Sequence, residues 1–208
     1  VLDAKTGKRI MALEGHADAP GLFHGIATRR RKPFAYRLRF GAGDASWEAQ
    51  DPYRFGPVLG EIDEYLIGEG AHQQLWCVLG AHVISHQGAD GTHFAVWAPN
   101  ASRVSVVGGF NNWDGRRNVM RRRGQTGVWE LFVPDVREGA VYKYELLDAS
   151  GTVLPLKADP VGFGSEHPPQ TASVVRQLDR HDWTDAPWMA ERQARHRPDM
   201  PVSIYEVH

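Results

Sequence analysis

Cysteine is almost absent: Cys77 is the only one in 208 residues. One thiol excludes an internal disulfide and a thiolate metal cluster, and such usage suits a reducing cytoplasm. An excess of charge of either sign is also lacking. The 24 Lys and Arg residues face 25 Asp and Glu, a balance that offers no general attraction to nucleic acid or anionic lipid. Long hydrophobic runs are missing as well, none approaching the roughly 20 residues that spanning a bilayer requires. The start, Val1-Leu2-Asp3-Ala4-Lys5, has no charged lead, no apolar signal stretch and no initiator Met, and reads as a trimmed start without a secretion signal. No glycine pattern matches a phosphate or dinucleotide loop, and no G-x-S-x-G occurs. A cytoplasmic location is expected, with no membrane and no nucleic acid, and the charge balance is compatible with an uncharged partner.

What is present is core material for about two small domains: 42% of residues are hydrophobic. Short strands are expected at Leu2 to Ala4, Ile10 to Leu13, Leu22 to Ile26 and Phe34 to Phe40, with a turn at Lys5-Thr6-Gly7-Lys8. In the last of these, Phe34, Tyr36, Leu38 and Phe40 alternate with Arg37 and Arg39, the pattern of a half-buried strand. The period then changes. Ile62, Tyr65 and Leu66 recur at helical spacing behind an acidic first turn of Glu61, Asp63 and Glu64.

From about His82 to Leu178 strands return, bounded by turn signals such as Asp90-Gly91, Asn111-Asn112 and Ser150-Gly151. Phe94, Val96 and Ala98 share a face. Trp129, Leu131 and Val133 alternate with Glu130, and Tyr142, Tyr144 and Leu146 with Lys143 and Glu145. Thr171 to Val175 closes the set, and a short helix with Pro187 in its first turns is expected over Asp182 to Arg195. The fold class expected is all-β: two immunoglobulin-like β-sandwich domains, the first incomplete, joined by a short helical segment. The expected divisions are 1–58 for the incomplete sandwich, 59–80 for the helical linker and 81–178 for the second sandwich. A linker with a short helix follows over 179–201, and a new strand begins at 202–208.

Two residues stand out as candidates for ligand contact. Trp113 lies on a Gly- and Asn-rich turn instead of inside a strand, where an indole can meet the C–H face of a sugar ring. From the pattern alone the favoured reading is that it folds back over the end of the sandwich. Lys143 is on the outward phase of its strand, free for a ligand or simply solvated. His82 and His86 have the spacing of a helical zinc pair, but Val83, Ile84 and Ser85 between them favour a strand, so no metal is expected. The basic runs Arg29-Arg30-Arg31-Lys32 and Arg121-Arg122-Arg123 read as solvated turns. The cluster Glu61, Asp63 and Glu64 reads as the negative cap of a helix, with no catalytic part.

Several segments taken in order resemble the N-terminal region of the glycogen branching enzymes. They are Asp51-Pro52-Tyr53-Arg54-Phe55-Gly56-Pro57, Phe94-Ala95-Val96-Trp97-Ala98-Pro99-Asn100-Ala101, Phe110-Asn111-Asn112-Trp113-Asp114-Gly115, Tyr142-Lys143-Tyr144-Glu145, Lys157-Ala158-Asp159-Pro160 and Tyr205-Glu206-Val207-His208. The resemblance implies a parent enzyme that cuts an α-1,4-glucan and rejoins the piece through an α-1,6 bond with retained configuration, using two carboxylates. Those carboxylates would belong to a (β/α)8 barrel that starts at 202–208, so this segment would be inactive alone and would need no cofactor. Residues 81–178 would be a glycogen-binding module, with Trp113 and Lys143 at its sugar-contacting positions. Two further sugar positions do not match: no second tryptophan follows Asp148, and Ser173-Val174 stands where related modules use asparagine. The expected partners are α-1,4-glucan and the barrel of the same polypeptide. The alternatives are a stand-alone glycogen-binding subunit and a structural module without sugar affinity.

Overall fold

The computed structural model describes residues 1–28, 32–178 and 181–207. They form two compact units, 1–177 and 178–208. The first opens with strands β1 (Leu2–Asp3), β2 (Glu14–His16), β3 (Ala19–His24), β4 (Tyr36–Ala42) and β5 (Ala45–Ala49), followed by helix α1 (Glu61–Gly68). Then come β6 (Gly80–His86), β7 (Ala89–Trp97), β8 (Arg103–Gly108), β9 (Arg121–Arg122), β10 (Val128–Pro134), β11 (Val141–Leu147) and β12 (Ser173–Val174). The protein is mostly β, in antiparallel sheets ordered β1-β4-β5, β2-β3, β6-β7-β10-β9 and β12-β11-β8. The last two face each other as an immunoglobulin-like sandwich.

The N-terminal strands depart from the expected pattern in detail. Residues Ile10 to Leu13 are not a strand, and β2 and β5 were not foreseen, because their exposed residues carry no alternation. The turn after β1 is as expected: Asp3 Oδ1 accepts from the amides of Lys5 and Thr6. On β4, Phe40 stacks on Trp47 of β5 at 5.7 Å between ring centroids, and both remain exposed. Arg29, Arg30 and Arg31 of the first basic run lie outside the described residues. In the second unit, helix α2 (Ala186–Arg195) starts with proline in its first turn and ends with Arg192 and Arg195, as its dipole favours. Residues 202–207 are exposed and have no regular secondary structure; His208 lies outside the described residues.

Inside the sandwich the period-two reading holds. Phe94, Val96, Leu131, Val133, Val104, Val106, Tyr142 and Tyr144 meet in one buried cluster. Trp129 joins it, its indole N–H donating to Ala98 O at 3.0 Å. The hydroxyls of Tyr142 and Tyr144 both donate to Asp159 Oδ2, at 2.7 and 3.1 Å. Burial pushes the Asp159 carboxyl above its usual range, against the downward pull of those two donors. This pins the segment after β11 across the end of the core.

The outer face of the four-stranded sheet overturns one expectation. The alternation of Glu130 with Trp129, Leu131 and Val133 turns it away from the core, where a solvated side chain is expected, yet it is 1% exposed. The segment between β5 and α1 lies over that face. Its Phe55 is buried edge-on against Phe132, 4.8 Å between ring centroids, and Leu59 packs with Ala95 and Val128. Both faces of β10 and of the middle of β7 are therefore covered, while Asp90 and Trp97 of β7 stay exposed.

Under this layer Glu130 Oε2 accepts from the amides of Val58 (3.1 Å) and Leu59 (2.9 Å) and is 2.8 Å from His93 Nε2. Arg123 Nε lies 3.1 Å from Glu130 Oε1, an ion-pair distance without hydrogen-bond alignment. Arg123 also pairs with Glu64 of α1, and Arg121 donates to Tyr53 O at 2.9 Å. Arg121 and Arg123 are thus fasteners of the covering segment and not a solvated turn. The acidic residues of α1 do sit in its first turn, as a helix N-terminus favours.

Burial raises the proton affinity of Glu130, but the His93 contact and the two amides outweigh it, so the carboxyl lies below its ordinary value. A depressed folded value means that the charged form stabilises the fold above the unfolded value of 4.5, and that this contribution fades as pH falls through the folded value. Glu130→Ala leaves the amides of Val58 and Leu59 and the buried His93 ring without their shared acceptor, and we expect it to cost about 1–3 kcal/mol in urea unfolding at pH 7. The stability gap between the native chain and Glu130→Gln should shrink as the pH drops below 4.5; a gap independent of pH would refute the charged-anchor account.

Candidate functional site

The turn after β8 is built residue by residue from its side-chain chemistry. Phe110 turns inward and stacks near Phe94, 6.0 Å between ring centroids. Asn111 is buried and staples the turn: its Nδ2 donates to Val106 O (2.9 Å) and Asn118 Oδ1 (2.8 Å), and its Oδ1 accepts from Gly108 N (3.0 Å). Asn112 and Trp113 then adopt left-handed backbone, φ 58° and 59°. Asparagine tolerates this region, whereas a bulky residue there is uncommon and must be held by its surroundings. The Trp113 amide donates to Gly108 O at 2.9 Å, which does that holding. Gly115 passes so close to β11 that a Cβ there would lie 2.0 Å from Glu145 Oε1. Asp114 is gripped by Arg116 through paired hydrogen bonds, which hold its carboxyl well below the usual range.

The outcome is an indole that does not fold back into the core. Trp113 is 41% exposed on a turn that Asn111 and the Trp113 amide hold through hydrogen bonds. Lys143 comes to the same region by strand register. It pairs with Val107, while Tyr142 pairs with Gly108, the residue that holds the Trp113 amide. Its flanking tyrosines point inward, so the ammonium group is carried outward, where Nζ donates to Thr171 Oγ1 at 2.7 Å. Ser173 faces the interior instead, its Oγ accepting from Asp159 N at 2.9 Å. The turn after β11 is closed by Asp148, whose carboxylate accepts from Ser150 and Thr152.

His82 and His86 both lie on strand β6. Their rings are engaged separately: His82 Nε2 is 2.9 Å from Leu79 O, and His86 Nε2 is 3.0 Å from Gly56 O. Among the described residues no group of three or more His, Cys, Asp or Glu side chains is placed to hold a metal ion. No helix among them is long and apolar enough to cross a membrane. Asn111 is the residue that sequence reasoning passed over, since a buried asparagine in a polar turn leaves no periodic signal.

Residues 78–162 match the family of carbohydrate-binding module 48, the isoamylase N-terminal domain. The whole chain is 63% identical to the 1,4-alpha-glucan branching enzyme GlgB of Roseobacter denitrificans, over 100% of this chain and 28% of that protein. It is 57% identical to that of Cereibacter sphaeroides over 97% of this chain and 28% of the relative, and 50% identical to that of Rhizobium meliloti over 100% and 28%. This chain is homologous to the N-terminal part of the branching enzymes. It spans little more than a quarter of the length of these relatives. Among solved structures, a pullulanase from Paenibacillus barengoltzii complexed with maltotriose is similar at 21% identity and a TM-score of 0.41, covering 65% of this chain and 19% of that one.

Trp113 and Lys143 both fall inside the matched carbohydrate-binding module, whereas Thr171 and Ser173 lie beyond it. The staple under the turn makes its own prediction. Asn111→Ala removes three hydrogen bonds and strands buried polar partners, and should lower stability by about 1–3 kcal/mol. Hydrogen exchange of the Gly108 and Trp113 amides should rise with it; unchanged exchange would show that the turn is held by other contacts.

Proposed function

We propose that this chain is the non-catalytic N-terminal segment of a glycogen branching enzyme, that it holds α-1,4-glucan at Trp113 and Lys143, and that it positions the glucan for the catalytic part of the same polypeptide. The observation that carries the reading is the half-exposed indole of Trp113 on a turn that is otherwise stapled. The fixed backbone of the turn presents an indole that can meet the C–H face of a glucose unit. An ammonium group has three donors, so Lys143 keeps two beyond its bond to Thr171 for sugar hydroxyls.

The three carboxylates of this region with displaced proton affinities do not suit the role of a general acid. A general acid for glycoside transfer needs a raised proton affinity and access to the sugar. Asp114 is held low by Arg116, and Asp148 is held low by Ser150 and the Thr152 amide. Asp159 is raised, but it is buried behind Tyr142 and Tyr144. The acid and the nucleophile would then come from the part of the enzyme outside this chain.

With one aromatic platform and Ser173 turned inward, single-site affinity should be weak, in about the millimolar range. A branched polymer offers many linked sites, so weak contacts still raise the local glucan concentration. The inward Ser173 also favours a second reading, a structural module without sugar affinity.

Calorimetric titration with maltoheptaose separates the two. The native chain should give saturable binding that Trp113→Ala removes and Lys143→Met weakens about 5- to 10-fold, with both variants still folded. A folded native chain that takes up no heptasaccharide would leave only the structural reading.

A further inference from the structure

Beside α1, on the covered side of the four-stranded sheet, lies an open socket of about 450 Å³ lined by Ile67, Leu75, Leu79, Trp97, Val128 and Val161, among others. Its floor is packed: Leu79 and Val128 are buried together with Leu59 and Ala95. Its rim is open. Trp97 is 58% exposed, Leu75 is 40% exposed, and Trp76 beside Leu75 is exposed too.

Trp97 is not a loose side chain. Its indole N–H donates to Thr126 O at 3.1 Å, and the ring lies against Gly127, where a Cβ would come 3.0 Å from Nε1. The polar edge of the indole is therefore already satisfied, and what remains open is carbon surface. His72, the polar side chain of the wall, faces Asp63 at 3.1 Å. A sugar would find few partners here for its hydroxyls, whereas an apolar protein surface would find a complementary one. The flanking charge is acidic: Glu69, beside the lining residue Gly70, is exposed, and α1 contains no basic residue.

Length says where such a surface comes from. Relatives that match nearly all of this chain are covered by it over only 28% of their own length, so most of each relative lies outside the matched part. We propose that in the longer branching enzyme this socket is covered by an apolar, basic-rimmed surface of polypeptide outside residues 1–208, with Trp97 as its central anchor. The proposal rests on the branching-enzyme reading. It assigns the intramolecular contact to the Trp97 face and leaves the Trp113 turn free for glucan. A fixed, half-exposed tryptophan over an apolar floor is the kind of residue around which interface energy concentrates.

The test is hydroxyl-radical labelling, read by mass spectrometry, of the chain of residues 1–208 and of the longer natural protein, both shown to be folded. Trp97 and Leu75 should label at least about five-fold more slowly in the longer protein. Equal labelling in the two overturns the proposal. So does protection in the shorter chain that grows with its concentration, which would assign the face to a second copy. Protection of the shorter chain by maltoheptaose would overturn it as well, by giving the face to sugar. Branching activity of the longer protein is assayed separately: its absence defeats the branching-enzyme reading, whereas unchanged Trp97 labelling in an active enzyme defeats only the docking surface.

Discussion

A carboxylate placed on the outer face of a β-sheet and then covered must be met by donors from whatever covers it, and Glu130 imposes that condition on this protein. The amides of Val58 and Leu59, the His93 ring and the Arg123 guanidinium meet it together. Two of the four come from the segment that arrives from the N-terminal strands, so the charge is satisfied only when that segment lies in one place. Apolar contacts at Phe55 and Leu59 make the covering favourable, while the carboxylate fixes its register. Arg123 extends the constraint to α1 through Glu64, and Tyr36, bonded to Asp51, extends it back to β4.

This arrangement separates the two faces of the sandwich by role. The four-stranded sheet is layered by the N-terminal segment and leaves the Trp97 socket open beside α1. The three-stranded sheet carries Lys143 outward near the Trp113 turn. Tyr142 and Tyr144 hold the inner side of β11 through Asp159, so the outward Lys143 is set by a buried hydrogen-bond network and not by its own contacts alone. The turn is fixed in the same manner, with the buried Asn111 doing below the surface what permits Trp113 to stand above it.

Much of the fold was legible in the sequence where a strand has one buried and one open face. Phe94 and Val96, Leu131 and Val133, and Tyr142 and Tyr144 announce the core by alternation, because side chains on a strand alternate in direction. The candidate site was legible through composition: an aromatic on a Gly- and Asn-rich turn, and a lysine between two inward tyrosines. The exposed strands β2 and β5 were not legible, since they bury too little for a pattern to be selected. Neither was the staple at Asn111, whose partners Val106 and Asn118 are fixed only once the turn has closed.

The sequence by itself determined the antiparallel sandwich, the places of its turns, the positions of α1 and α2, and the outward phase of Lys143, all from local periodicity and turn chemistry. Only the tertiary structure decided that Glu130, Arg121 and Arg123 are fasteners, that Ser173 faces inward, and that Trp97 stays open. The physical reason is that alternation records which side of a strand a residue faces, whereas what lies on that side is set by segments remote in sequence. A second covering layer changes a solvated glutamate into a buried anchor without changing a single letter of the pattern.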